Sequence, residues 1–154
     1  MNQATFGAGC FWGVEESFRT LSGVTKTEVG FMGGMVKDPS YERVCGGDTS
    51  HAEVVHISFD PKKISYARLL DIFWSIHDPT QFNRQGPDVG SQYRSVIFYY
   101  DDEQCRLAEE SLSREQVKYK RPVATQVVPA QVFYRAEEYH QQYLFKRGAG
   151  PSCH

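Results

Sequence analysis

The chain has 154 residues, 40% of them hydrophobic, and a formal net charge of −2. That suffices for one domain with its own core and excludes the broad positive field that nucleic acid or anionic membranes require. No apolar run approaches the roughly 20 residues of a membrane span, and Met1-Asn2-Gln3 lacks the basic and apolar start of a signal peptide, so a cytoplasmic protein is expected.

In chain order, Ala4-Thr5-Phe6-Gly7-Ala8-Gly9 reads as a short strand running into a glycine-rich turn. Phe11, Val14, Phe18 and Leu21 then recur at helical spacing, which places Cys10 at the N-terminus of a first helix. Gly23 closes that helix, and Val24 to Phe31 reads as a strand. Residues 32–51 form an irregular stretch rich in Gly, Asp and Ser, a length that marks function inside a compact domain. Glu53 to Phe59 is a strand with Val55, Ile57 and Phe59 on one face, and Asp60-Pro61 turns the chain. Ser65 caps a second helix from Tyr66 to about His77, with Leu69, Leu70, Phe73, Trp74 and His77 on its apolar side. Asp78 to Arg94 is a second irregular segment, followed by a strand from Ser95 to Tyr100. Asp101, with Gln104 in capping-box position, opens a third helix to about Val117. Val123 to Val132 reads as a strand broken by Pro129, Ala136 to Phe145 as a short helix, and Lys146 to His154 as a flexible tail. No repeat or linker divides the chain, so residues 1–154 are expected to form a single domain. Strands and helices without strict alternation indicate α+β, a two-layer sandwich of helices packed on a mixed or antiparallel sheet with long irregular loops.

The motif Gly9-Cys10-Phe11-Trp12-Gly13 sets a thiol where unpaired helix N–H groups favour its reactive, anionic form. Trp12 falls off the buried stripe, on the side of Glu15, Glu16 and Arg19, and is read as an exposed aromatic surface. Taken singly, these residues leave ordinary alternatives open. A lone cysteine usually packs as a small hydrophobe; Glu53 could be a solvated strand end or a perturbed carboxyl; Asp88 fits a Gly-Pro-Asp turn. The four cysteines, Cys10, Cys45, Cys105 and Cys153, include no C-x-x-C pair, and the histidines complete no zinc pattern, so no metal or cofactor is expected.

Taken together the blocks are more specific. Gly-Cys-Phe-Trp-Gly, Tyr41 with Ser50-His51-Ala52-Glu53, Ile76-His77-Asp78-Pro79-Thr80, the run from Arg84 to Ser95, and Glu138 to Leu144 occur in one order along the chain. That set closely resembles the A-type methionine sulfoxide reductases, the peptide-methionine (S)-S-oxide reductases. The resemblance implies a ferredoxin-like core and a catalytic domain whose segment 146–154 carries a recycling cysteine. It implies Cys10 as nucleophile at sulfur and Glu53 as proton donor to the departing oxygen. Tyr41 and Tyr93 would donate hydrogen bonds to that oxygen, Asp88 would hold the polar end of the site, and Phe11 and Trp12 would receive the S-methyl group. Cys153 would resolve a Cys10 sulfenic acid as a Cys10–Cys153 disulfide, in one step, for reduction by thioredoxin. Substrates would be oxidised proteins or free methionine sulfoxide, and the protein a monomer. Cys45 is expected to pack its loop, and Cys105 to be buried against Ala108 and Leu112. Ser50 and Pro87 depart from the family, where glycine and asparagine are usual. The competing readings are a thiol peroxidase using Cys10 and a non-catalytic module that recognises oxidised methionine.

Overall fold

The computed structural model describes residues 2–148; the expected recycling residue Cys153 lies outside the described residues. Strand β1 (Asn2–Ala8) leads into helix α1 (Phe11–Arg19), then β2 (Val24–Met32), a short helix α2 (Tyr41–Cys45) and β3 (Ala52–Phe59). Helix α3 (Tyr66–Ser75) follows, then a two-residue hairpin of β4 (Arg84–Gln85) and β5 (Asp88–Val89), and a 3-10 turn at Ser91–Tyr93. Strand β6 (Ser95–Tyr99), helix α4 (Asp102–Gln116), β7 (Gln126–Pro129), β8 (Tyr134–Arg135), a 3-10 turn at Glu138–His140 and helix α5 (Tyr143–Lys146) complete the described residues.

Among the described residues the main sheet has the order β7-β6-β1-β3-β2-β8. Its four central strands are antiparallel throughout, β6 against β1, β1 against β3 and β3 against β2. Two split βαβ units, β1-α1-β2 and β3-α3-β6, therefore interleave, which is the ferredoxin-like arrangement. β7 adds parallel to β6 and β8 antiparallel to β2, so the complete sheet is mixed. The α+β sandwich expected from the element order is the architecture observed.

Alternation along the strands sorts the core. Ala4, Phe6 and Ala8 of β1 join Val55, Ile57 and Phe59 of β3 beneath α1, α3 and α4, packed with Phe18, Leu69, Leu70, Phe73 and Ala108. The opposite face carries Met32, Ala52, Val54, Val96 and Phe98, covered by Val128, Ala130 and Phe133 as the chain returns. Burial of side chains this size contributes about 1.5–3 kcal/mol each, before conformational entropy offsets it. Ser65 accepts from the Arg68 N–H as expected, whereas α1 ends earlier than expected, at Arg19 with Thr20 as its cap, and Gly23 at φ 98° belongs to the turn into β2. Asp101 accepts from the Gln104 N–H, while the Gln104 side chain accepts from Tyr100 N–H, one residue earlier than a standard capping box.

Several expectations are corrected. The 32–51 stretch contains α2, too short to show periodicity. The strand read over Val123 to Val132 is ordered as a strand at Gln126–Pro129 only. The helix read over Ala136 to Phe145 is instead a 3-10 turn and α5, separated at Gln142, whose φ of 52° a helix interior does not accept.

The second long loop is pinned at its two ends. His77 donates from Nδ1 to the Phe73 carbonyl at 2.7 Å, and its Nε2 meets the Ser95 hydroxyl at 2.7 Å, which in turn bonds Thr125. Burial drives His77 down to about 4. A folded-state value below the unfolded one means that the unfolded chain binds the extra proton between about pH 6.5 and 4. Stability is therefore full above that window and falls as pH drops through it, by about 3 kcal/mol. Urea melts across pH 4–7 should show this loss, and His77→Gln should flatten it.

Candidate active site

Because β1 runs antiparallel to both β3 and β6, its C-terminal end lies beside their N-terminal ends. Ala8 pairs with Ser95, and Phe6 pairs with Val55. Cys10 just beyond β1, Glu53 near the start of β3 and Tyr93 just before β6 are thus delivered to one place by sheet topology alone. Gly9 makes the turn at φ 101°, and a Cβ there would meet Gln85 at 3.0 Å. Gln85 itself bonds both the N–H and the carbonyl of Asp78, so the second loop closes directly on the turn before Cys10.

Cys10 is the N-cap of α1, with φ −57° and ψ 122°, and its side chain makes no capping bond. The first free N–H of the helix, that of Phe11, donates to Glu53 Oε1 at 3.2 Å. Glu53 is 1% exposed, and among the described residues its Oε2 has no hydrogen-bond partner. Burial pushes the Glu53 carboxyl well above its ordinary range, and the neighbouring charge of Cys10 adds to the effect against the lowering pull of the Phe11 N–H. Asp88 acts in the same raising direction. Tyr41 and Tyr93 are also pushed up, first by burial; Tyr41 then by its hydrogen bond to Cys45, Tyr93 then by the charge of Glu53. Both phenols therefore remain donors at neutral pH.

The aromatic side is equally specific. Phe11 is fully buried against Phe31 and stacks on Tyr41 at 6.0 Å. Trp12 is half-buried rather than openly exposed: it stacks on Tyr143 with centroids 3.8 Å apart and planes 10° apart, and faces Tyr41 at 6.2 Å. Its Nε1 donates to His140 Nδ1 at 2.9 Å. That bond puts any single His140 proton on Nε2, which has no partner among the described residues.

All of the site residues expected within the described chain, Cys10, Phe11, Trp12, Tyr41, Glu53, Asp88 and Tyr93, thus meet in one neighbourhood. Two expectations about cysteines change. Cys45, expected to pack its loop, is exposed, and Tyr41 and Tyr93 are its polar neighbours. Cys105 is half-buried rather than buried. His140 and Tyr143 were quoted in the motif from Glu138 to Leu144 without a role; their aromatic spacing was the available signal. No group of His, Cys, Asp or Glu among the described residues is arranged to hold a metal ion, and no described helix is long and apolar enough to cross a membrane.

The arrangement joins a thiol, a carboxyl held neutral, two phenolic donors and an aromatic wall, the parts of a reductase acting on a polarised oxygen beside an apolar group. Comparison with known proteins makes this particular. The family model described as Peptide methionine sulfoxide reductase matches residues 2–154, and the chain belongs to that family. A peptide methionine sulfoxide reductase from Methanothermobacter thermautotrophicus is 61% identical over 146 residues, covering 94% of this chain and 86% of its own length. The reduced form of Mxr1 from Saccharomyces cerevisiae superposes with a TM-score of 0.93 at 42% identity, covering 99% of this chain and 88% of that one. Mxr1 in complex with Trx2 gives a TM-score of 0.66 at 26% identity, covering 92% and 84%.

Two stability effects follow. Ser50 sits at φ 61°, the left-handed region that costs a non-glycine residue about 1 kcal/mol. Ser50→Gly should raise the denaturant midpoint by a corresponding amount, less the extra unfolded-state freedom of glycine. For Glu53, a raised carboxyl means the folded protein holds a proton the unfolded chain has released, so stability declines as pH rises above the unfolded value. Glu53→Gln should therefore raise the thermal midpoint at neutral pH and erase that decline.

Proposed function

We propose that the chain reduces the S epimer of methionine sulfoxide, in proteins and as the free amino acid, with Cys10 as nucleophile and Glu53 as acid. One observation carries the reading: a buried carboxyl has one oxygen tied to the helix that Cys10 caps and the other unengaged. A neutral Glu53 anchored in this way presents its proton toward the thiol's substrate and loses no hydrogen bond in giving it up.

In the reaction, the Cys10 thiolate attacks the sulfoxide sulfur while Glu53 protonates the oxygen. The S–O bond breaks, the sulfide leaves as methionine, and the oxygen ends on Cys10 as a sulfenic acid. Tyr41 and Tyr93 steady the oxygen as charge builds on it. Asp88 holds the polar end of the site. Phe11 and Trp12 take the S-methyl group, since sulfur-bearing groups pack favourably on ring faces and edges. Cys153 then attacks the sulfenic sulfur, forming the Cys10–Cys153 disulfide and releasing water. A thioredoxin-type dithiol returns both thiols and leaves oxidised itself. The capture of yeast Mxr1 with Trx2 supports that reductant. No bound cofactor enters this scheme, and a monomer in a reducing compartment such as the cytoplasm suits it.

The reading distinguishes itself from a peroxidase or a binding module by turnover. Cys10→Ser should abolish release of methionine from an S-sulfoxide peptide. Cys153→Ser should release one equivalent and then stall with thioredoxin, as followed by chromatography of the peptide. Glu53→Gln should slow the first step about 10²–10⁴-fold in single-turnover quench experiments. Peroxide turnover alone, or repeated thioredoxin-driven turnovers by Cys153→Ser, would contradict the assignment.

A further inference from the structure

Glu15 is the buried carboxylate of α1, and the reaction makes no use of it. It was read on an exposed side with Trp12, yet it is 1% exposed. Its Oε1 accepts the Gln142 backbone N–H at 2.7 Å and its Oε2 accepts the Thr27 hydroxyl at 2.8 Å. A carboxylate this deep costs several kcal/mol unless both oxygens are engaged, as they are here.

The acceptor it offers falls at a decisive residue. Gln142 stands at φ 52° and separates the 3-10 turn at Glu138–His140 from α5. The residue before it is locked elsewhere: the Gln141 amide accepts from Val29 N–H and donates to the carbonyls of Val29 and Ala136. One residue is therefore fastened to the sheet and the next to α1. Helix α5 has 4 residues, far below the length at which a helix holds itself together, so tertiary contacts must place it. Those contacts are the Glu15 bond, Arg19 over the Phe145 ring at 4.2 Å, and Tyr143 stacked on Trp12.

We propose that Glu15 is a positioning residue: by clamping Gln142 and Thr27 it seats α5 on α1 and so holds the Trp12 indole in the orientation that receives substrate. The inference rests on the reading of Trp12 as a wall of the substrate pocket. Glu15 touches no reacting atom; it acts through Gln142, Tyr143 and Trp12.

Three variants test it, assayed with dithiothreitol and an S-sulfoxide peptide. Glu15→Ala should raise KM by about fivefold or more while kcat stays within about twofold. Acrylamide should then quench the indole fluorescence more strongly, a change that reports Trp12 because Trp74 is 5% exposed. Glu15→Asp draws the carboxylate back by one methylene, out of reach of Gln142, and should behave as Glu15→Ala does; it carries the test should the alanine variant not fold. Glu15→Gln keeps an oxygen for the Gln142 N–H and a donor for the Thr27 hydroxyl, and should restore both KM and quenching. Wild-type KM and quenching in Glu15→Asp would overturn the proposal, as would loss of kcat and KM together in all three variants. If Trp12→Ala leaves KM unchanged, the wall reading fails and the substrate half of the proposal falls with it. Quenching still decides, independently, whether Glu15 seats the indole.

Discussion

A carboxyl buried under the first turn of α1, next to a thiol, is the constraint on which the rest of the structure depends. Two opposing forces act on Glu53. The start of a helix favours a negative group by up to about 2 kcal/mol. Full burial disfavours it by as much as 3–5 pKa units, roughly 4–7 kcal/mol. The nearby Cys10 charge adds to the second force, so the neutral acid wins. The first helix N–H is taken by Glu53, and the carboxyl keeps its proton beside the thiol, where the proposed reaction would draw on it.

The fold makes this pairing cheap to assemble. An antiparallel neighbour on each side of β1 brings the start of two strands to the place where β1 ends. Long loops precede both starts, and each is held at its root by buried polar bonds. His51 accepts the Gly34 N–H and meets the Val36 carbonyl in the first loop; His77 and Ser95 close the second. Arg94 joins the two by donating to the carbonyls of Ser50 and Ser91. The aromatic face of α1, Phe11 and Trp12, is braced from a third direction by the segment from Glu138 to Lys146. Carboxyl, phenols and aromatic face therefore rest on separate elements that are cross-braced.

Much of this was legible in the residues. The stripe Phe11, Val14, Phe18 sets Cys10 at a helix start, and the alternation of Val55, Ile57 and Phe59 marks one face of β3, while Glu53 at its head still reads as either a solvated strand end or a perturbed carboxyl. Strong periodicity and side-chain caps are local signals, and local signals survive in sequence. What escaped depends on tertiary context. Helix α2 is too short to have a period. Gln142 adopts a left-handed conformation between the Gln141 bonds to Val29 and Ala136 and the Glu15 bond, and neither residue type announces burial. Trp12 looked exposed because its cover, Tyr143 and His140, lies more than 125 positions away in sequence. The pairing of Cys45 with Tyr41 and Tyr93 likewise exists only once two loops are folded together.

The central claim is the protonation state of one side chain, and infrared difference spectroscopy between the reduced wild-type protein and Glu53→Gln reads it directly. The account predicts a protonated carboxylic C=O band at neutral pH that is absent from the variant and fades only well above the ordinary carboxylate range. A carboxylate band at neutral pH, titrating where a solvated glutamate does, would contradict it.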